Sequence, residues 1–398
     1  MEHIGLRGRR ASGWLAGLVL CGLINTMVWV AMAAPAPTFE VSAHSAILAD
    51  AATGQVLYEK NGDVKLPPAS MAKIMTMLLI MEEIDAGRLK LTDEVKVSAR
   101  ASQIGGSQVY LKHGEVFTVE QLLKAVTIHS ANDASVALAE HVSGAVEAFV
   151  DMMNRRAQEL GMKDTYYDNP DGLPSEPGRP PTLTTPRDLV KVSRELLKHP
   201  KILEWTTITQ MTFREKPRTD LYNTNKLIGK YSGLDGLKTG HTEEAGWCLT
   251  ATAKRDGVRL ISVVMRTESE QERQAQTARL LDYGFRGFQP VLVADAGEDV
   301  GKVKVPNGWP GALQVQVREP FRPLVPRGRE EDLQTRVEFE ELQAPLKAGE
   351  TVGALVATLD GEELARTDVV LPRDVKRANF VVRFFRWVAN LFRGLFRR

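Results

Sequence analysis

Ser70-Met71-Ala72-Lys73 sets a hydroxyl and an amine three residues apart, and on a helix that spacing puts both on one face, one turn from each other. A serine hydroxyl is a poor nucleophile until a neighbouring base takes its proton, so Ser70 is the candidate nucleophile and Lys73 the candidate base. An amine does this only when neutral; burial and a second cation nearby both push a lysine pKa down towards that state. Two more short strings follow in order, Ser130-Ala131-Asn132 and Lys238-Thr239-Gly240. Ser130 offers a hydroxyl to relay a proton from Lys73 to a leaving group. The amide of Asn132 both donates and accepts, which suits holding a peptide backbone without charge. Lys238 is the candidate second cation, and with the Thr239 hydroxyl it suits a free terminal carboxylate. Gly240 leaves room beside its strand, and main-chain N–H groups of Ser70 and His241 are the expected oxyanion donors, with no part required of the His241 imidazole. A Ser-x-x-Lys string arises by chance about once in a chain of this length, so the signal is the ordered trio and not any one member.

The elements that must position these groups are legible in part. Residues 39 to 58 alternate around a turn at Thr53-Gly54, predicting a two-stranded hairpin. Pro67-Pro68 ends that extended stretch, and apolar residues from Met71 to Ile84 recur with helical spacing, placing Ser70 at a helix start. Helical spacing returns over residues 119–130, 132–144, 146–160 and 187–197, while residues 237–253 and 258–265 read as strands. Strands at both ends with helices between predict an α+β fold whose sheet is assembled from distant segments, so substrate could lie along the edge of the Lys238 strand as an added strand. From about Pro290 short alternating runs, punctuated by Asn307-Gly308, Pro310-Gly311 and Asp360-Gly361, predict a separate small all-β domain, with the boundary near residues 287–290.

The formal charge of the 398 residues is only +1, yet it is unevenly spread. Residues 1–33 carry +2 and residues 376–398 carry +7, so the body between them carries about −8. A negative body is unsuited to nucleic acid, whose phosphates need clustered cations. Arg7, Arg9 and Arg10, an uncharged apolar stretch from Trp14 to Val30 and small residues at Ala31 and Ala33 predict an export signal over residues 1–33, cleaved after Ala33, with an uncleaved membrane anchor as the alternative. Cys21 falls inside that segment, so Cys248 is left without an internal disulfide partner and reads as a buried thiol. The seven histidines show no paired ligand spacing, and no metal or organic cofactor is expected.

The three motifs resemble those of the penicillin-interacting serine hydrolases. Within that group the chain is most similar to low-molecular-mass D-alanyl-D-alanine carboxypeptidases, through ILADAATGQVLYEKNGDVKLPPASMAKIMT leading into and past Ser70, HSANDASVALAEHVSG around Ser130, NPDGLP at residues 169–174, NTNKL at 223–227 and GLDGLKTGHTEEAGWCL around Lys238. The resemblance spans about residues 38–288 and continues more weakly to about residue 372. It implies a β-lactamase/transpeptidase-like domain, an antiparallel sheet with a helical cluster, followed at residues 289–372 by a small β-sandwich. It further implies that Ser70 forms an acyl-enzyme with Lys73 as proton acceptor, Ser130 as the second hydroxyl and Lys238 at the substrate carboxylate. The substrates implied are peptidoglycan stem peptides ending in D-Ala-D-Ala, with β-lactams as inhibitors. Ala131 departs from the glycine many relatives carry there, and Asp171 is a turn-forming residue or a contributor to deacylation.

Residues 379–395, NFVVRFFRWVANLFRGL, place Phe380, Val381, Phe384, Phe385, Trp387, Val388, Leu391 and Phe392 on one side of a helix and Arg383, Arg386, Arg393 and Arg397 opposite. Such a helix is too interrupted by arginine to span a bilayer and suits an anionic membrane surface, with the protein's own acidic body as the rival docking site. The expected location is the extracytoplasmic face of the bacterial cytoplasmic membrane, with residues 376–398 as a peripheral anchor. Two other functions share the motifs: a β-lactamase, disfavoured because no Glu-x-x-Leu-Asn string is present, and a penicillin-binding sensor or scaffold that does not turn over.

Overall fold

A computed structural model of the chain describes residues 39–381 and 384; the expected leader over residues 1–33 and most of the expected tail helix lie outside the described residues. The folded unit begins at Val41. Its central sheet has five antiparallel strands in the spatial order Val56–Lys60, Ser45–Asp50, Val258–Thr267, Gly246–Arg255, Leu234–Thr242. The N-terminal hairpin thus pairs with strands some 200 residues later, Ile47 opposite Val263. Leu234–Thr242 lies at the sheet's edge, with one side free of any strand. The single strand-like stretch expected over residues 237–253 is two strands joined by the turn at Glu243–Ala245.

Helices from the middle of the chain form a cluster against the face of the sheet that presents Ile47, Ala49, Ile261 and Val263. Helix Lys73–Asp85 runs through its middle, with every residue from Lys73 to Met81 buried. Its sequence is apolar nearly all round, which is what a helix enclosed on every side requires. Asn132–Ser143, Val146–Glu159 and Pro186–Leu196 pack around it, joined by a core that includes Ile74, Met77, Leu78, Leu138, Phe149 and Leu189. Helix Glu270–Gly287, which the apolar spacing does not reveal, packs against the strands Gly246–Arg255 and Val258–Thr267. Ser269 caps it by accepting the N–H of Glu272, and Gly284 lets it sit close over Leu260 and Leu48.

Phe288 follows this helix directly and opens a short ladder with Leu324–Pro326. Beyond it lies a second antiparallel sheet, ordered Asp299–Lys304, Ala312–Val317, Glu362–Val370, Thr351–Leu359, Gln334–Phe339, with its own core of Val303, Val315, Phe321, Val352 and Val369. Gln55, in the turn of the N-terminal hairpin, ties the two regions together: its side chain donates to Leu324 O at 2.6 Å and accepts from Leu324 N at 2.8 Å, both buried. Among the described residues no helix is long and apolar enough to cross a membrane.

Candidate active site

Ser70 sits in the tight turn Ala69–Ala72, and Lys73 is the first residue of the α-helix that continues it. Two glycines crowd this turn. A Cβ on Gly240 would come within 2.5 Å of Pro68 O, and one on Gly172 would collide with the Ala69 carbonyl. The room that Gly240 was expected to leave beside its strand is therefore filled by the turn that carries Ser70. Gly240 is what lets the edge strand approach it.

Lys73 Nζ is buried and makes three contacts: Ser70 Oγ at 3.0 Å, Asn132 Oδ1 at 2.6 Å and Asp171 O at 2.5 Å. Burial lowers its pKa to about 8, against an opposing pull from the carboxylates of Asp171 and Asp133. Lys238 is not among the causes of that depression. The repulsion between the two amines is felt at Lys238, whose pKa falls well below the ordinary lysine value through burial first, then Lys73, then Arg273. Lys238 is 1% exposed, its Nζ donates to Thr239 O at 3.1 Å, and among the described residues no carboxylate lies within ion-pair distance of it.

Ser130 ends a π-helical turn, Ala125–His129, and has the left-handed backbone φ 65°, ψ 30°. Non-glycine residues adopt that conformation only where the surroundings enforce it, commonly at functional sites. It turns Ser130 into the cleft while Asn132 begins the next helix. Asn132 Oδ1 accepts from Lys73 at 2.6 Å and its Nδ2 donates one hydrogen to Gly105 O at 2.8 Å, so the amide is anchored at both ends within the protein. Its neighbour Asp133 accepts the N–H groups of Val109 and Leu111, fixing the loop on that wall.

The cleft has a volume of about 350 Å³ and brings together Ser70, Ser130, Thr239, Gly240 and His241. Thr239 Oγ1 hydrogen-bonds Thr224 Oγ1 at 2.8 Å, which also lines it. The exposed His241 ring lies over Trp247 with centroids 3.9 Å apart. Asp171 lies in a turn: its Oδ1 accepts Leu173 N, while Asn169 Oδ1 accepts Gly172 N.

The motifs gave no hint of Arg273, Tyr222 or Trp247, all of which line the cleft. Arg273 is 3% exposed on helix Glu270–Gly287, with a guanidinium pKa lowered by burial, one bond to Glu270 and a face against Trp247 at 5.2 Å. Its buried Nε has no partner among the described residues. The available signal was the spacing Arg273, Thr277, Leu280, Leu281, Gly284, the buried stripe of that helix.

Known proteins resemble the chain over both of its sheet-containing regions. A family model described as D-alanyl-D-alanine carboxypeptidase matches residues 30–269, and one described as penicillin-binding protein 5, C-terminal domain, matches residues 288–377. The D-alanyl-D-alanine carboxypeptidase DacF of Bacillus subtilis (strain 168) is 42% identical, over 85% of this chain and 87% of its own. DacA of Escherichia coli (strain K12), with the same description, is 31% identical over 90% and 89%. Among solved structures, penicillin binding protein 5 from Haemophilus influenzae superposes with a TM-score of 0.74 at 30% identity, covering 86% of this chain and 99% of that one.

Proposed function

This chain belongs to the D-alanyl-D-alanine carboxypeptidase family, and from that premise we propose how its residues carry the reaction. It is a serine-type peptidase that removes the terminal D-alanine from peptidoglycan stem peptides, acting outside the cytoplasm, and it binds penicillin.

The observation that carries the mechanism is the set of contacts at Lys73 Nζ. A neutral amine has two N–H donors and one lone pair. The two shorter contacts, to Asn132 Oδ1 and Asp171 O, take both donors, and the lone pair is left for the Ser70 hydroxyl at 3.0 Å. Asn132 and the Asp171 carbonyl thereby orient the base. Ser70 Oγ attacks the scissile carbonyl as its proton passes to Lys73, with Ser70 and His241 N–H groups receiving the oxyanion. The C–N bond breaks, Ser130 relays the proton to the departing D-alanine amine, and water then hydrolyses the ester on Ser70. The peptide's free carboxylate is held by Thr239 and by the positive field of Lys238 and Arg273. The open edge of Leu234–Thr242 supports a substrate lying as an added strand, ending at this carboxylate site.

Residues 38–288 form the catalytic region and 289–372 the β domain in this reading, after a leader over 1–33 removed on export. Residues 376–398 attach the protein to the anionic outer surface of the cytoplasmic membrane; Phe380, Val381 and Phe384, the described part of that helix, are exposed.

The test is to incubate the protein with a pentapeptide ending in D-Ala-D-Ala and measure free D-alanine, with Ser70→Ala as control. Release by the unmodified chain alone is expected. Stable labelling by a fluorescent penicillin without release would instead assign a sensor.

A further inference from the structure

We propose that the pocket formed around the Asn169–Leu173 turn is a second ligand site, one that takes a small zwitterionic α-amino acid, the class to which the released D-alanine belongs. The proposal rests on the reaction above only for the source of that ligand.

The pocket has a volume of about 130 Å³ and shares no lining residue with the catalytic cleft. Arg100, Arg179, Asp168, Asp171 and the exposed Glu176 are its charged lining. Asp171 also joins it to the catalytic residues, since its carbonyl accepts from Lys73 Nζ at 2.5 Å. Both aspartates are buried, Asp168 at 5% and Asp171 at 2% exposure. A buried carboxylate is costly unless hydrogen bonds or cations answer it, and neither of these is fully answered. Asp171 accepts one bond, from Leu173 N to Oδ1 at 2.8 Å, and among the described residues no further donor and no cation within ion-pair distance meets its carboxylate. Asp168 Oδ1 lies 2.7 Å from Arg179 Nε but off the line of its N–H, so that pair is held by charge without a hydrogen bond. The arginines have donors to spare: Arg100 gives one N–H to Glu147 at 2.7 Å, and the Arg179 guanidinium gives none to any described residue.

Open acceptors and open donors around one cavity specify a ligand that carries both charges. A lone anion would meet the arginines but set a further negative charge beside two buried carboxylates. A lone cation would answer the aspartates and leave the arginines aside, and among the described residues no group of three acidic, histidine or cysteine side chains could hold a metal ion. An α-amino acid has an ammonium for Asp171 and Asp168 and, one carbon away, a carboxylate for Arg100 and Arg179. The volume, about that of four waters, admits a molecule of alanine's size. Ile104, Val136 and Val146 offer a short side chain an apolar lining. D-Alanine meets each of these requirements and is set free by the proposed reaction.

The test uses the full chain acylated by penicillin, so that the cleft is filled, titrated with isotope-labelled D-alanine and followed by NMR line broadening. Saturable binding is expected, weakened about tenfold or more by Arg179→Gln and by Arg100→Gln, each of which withdraws one charge-assisted bond. Propionate and ethylamine, with one charge each, should not displace the amino acid. L-Alanine binding as well as D-alanine assigns the site to small amino acids in general, and binding of D-alanine alone assigns it to the released product; both support the proposal. No saturable binding at concentrations on the order of tens of millimolar overturns it, as does binding that neither variant weakens or that propionate or ethylamine matches. Labelling by a fluorescent penicillin should be unchanged in both variants, which excludes misfolding. D-Alanine release from the pentapeptide, measured without penicillin, tests the proposed reaction by itself, so failure of one reading is told apart from failure of the other.

Discussion

Gly240→Ala isolates the contact between the edge strand and the nucleophile turn. Gly240 has no left-handed backbone angle, so alanine introduces no torsional strain, and the single perturbation is the added Cβ. That atom would stand 2.5 Å from Pro68 O, where 3.4 Å is ordinary contact, so strand and turn must separate by about 0.9 Å. Pro68 O also accepts Met71 N, the bond that closes the turn around Ser70, and so cannot yield without moving the nucleophile. A displacement near 1 Å at a reacting group costs on the order of 100-fold in rate, or about 2.7 kcal/mol of transition-state stabilisation. The assay is the second-order rate of acylation by a fluorescent penicillin, with D-alanine release from the pentapeptide as a second readout, each normalised to folded protein by thermal melting. Overpacking of this kind also costs about 1–3 kcal/mol of stability, so some loss of melting temperature is expected. A variant that acylates within threefold of the parent at unchanged melting temperature would refute the claim that Gly240 serves close approach.

The buried base makes a prediction about stability. Lys73 falls from 10.5 in the unfolded chain to about 8 when folded, so between those values the unfolded chain binds the extra proton and stability rises with pH. Relative to Lys73→Met, the parent should gain about 3 kcal/mol between pH 8 and 10.5, read from denaturant melts across that range; a difference independent of pH would mean that the amine is not desolvated. Arg273→Gln should raise KM for the pentapeptide by about tenfold or more while kcat changes little, since it removes one charge-assisted bond to the free carboxylate. The same peptide ending in a carboxamide should lose much less, and equal losses for both ends would remove Arg273 from carboxylate recognition.

How much could be read in advance depends on how tightly chemistry constrains residue type. A nucleophile, its base and a carboxylate-binding cation tolerate few substitutes, so Ser70, Lys73 and Lys238, proposed for those parts, stand out as strings. The α+β architecture was legible because the buried helix Lys73–Asp85 and the long strands carry dense apolar patterns. Helix Glu270–Gly287 was not, because its inward stripe is Arg273, Thr277, Leu280, Leu281 and Gly284, only two of them large and apolar. Arg273 was lost with it. The internal bonds of Asn132 were not legible for another reason: an amide suits substrate and protein equally, and only the positions of Lys73 and Gly105 reveal the partners it has within the protein. The left-handed turn at Ser130 leaves no mark on a serine that could equally end a regular helix.

The arrangement explains why one cleft takes both a peptide and a penicillin. Two amines are buried side by side at the seam between the central helix and the edge strand, and their partners differ in kind. Lys73 is satisfied inside the protein by Asn132, Asp171 and Ser70, whereas among the described residues Lys238 has only the Thr239 carbonyl. A buried amine without a counter-charge releases its proton, which is the direction in which the Lys238 pKa moves. A carboxylate entering beside Thr239 reverses that pressure: it restores the ammonium and is held by it, and the restored charge in turn favours the neutral form of Lys73 as base. In the proposed mechanism, recognition of the free carboxylate and activation of Ser70 are then one electrostatic event. The peptide's terminal D-alanine and the penicillin nucleus each carry a carboxylate close to a reactive amide carbonyl, so in this mechanism each would deliver the missing charge as it presents the bond proposed for attack by Ser70.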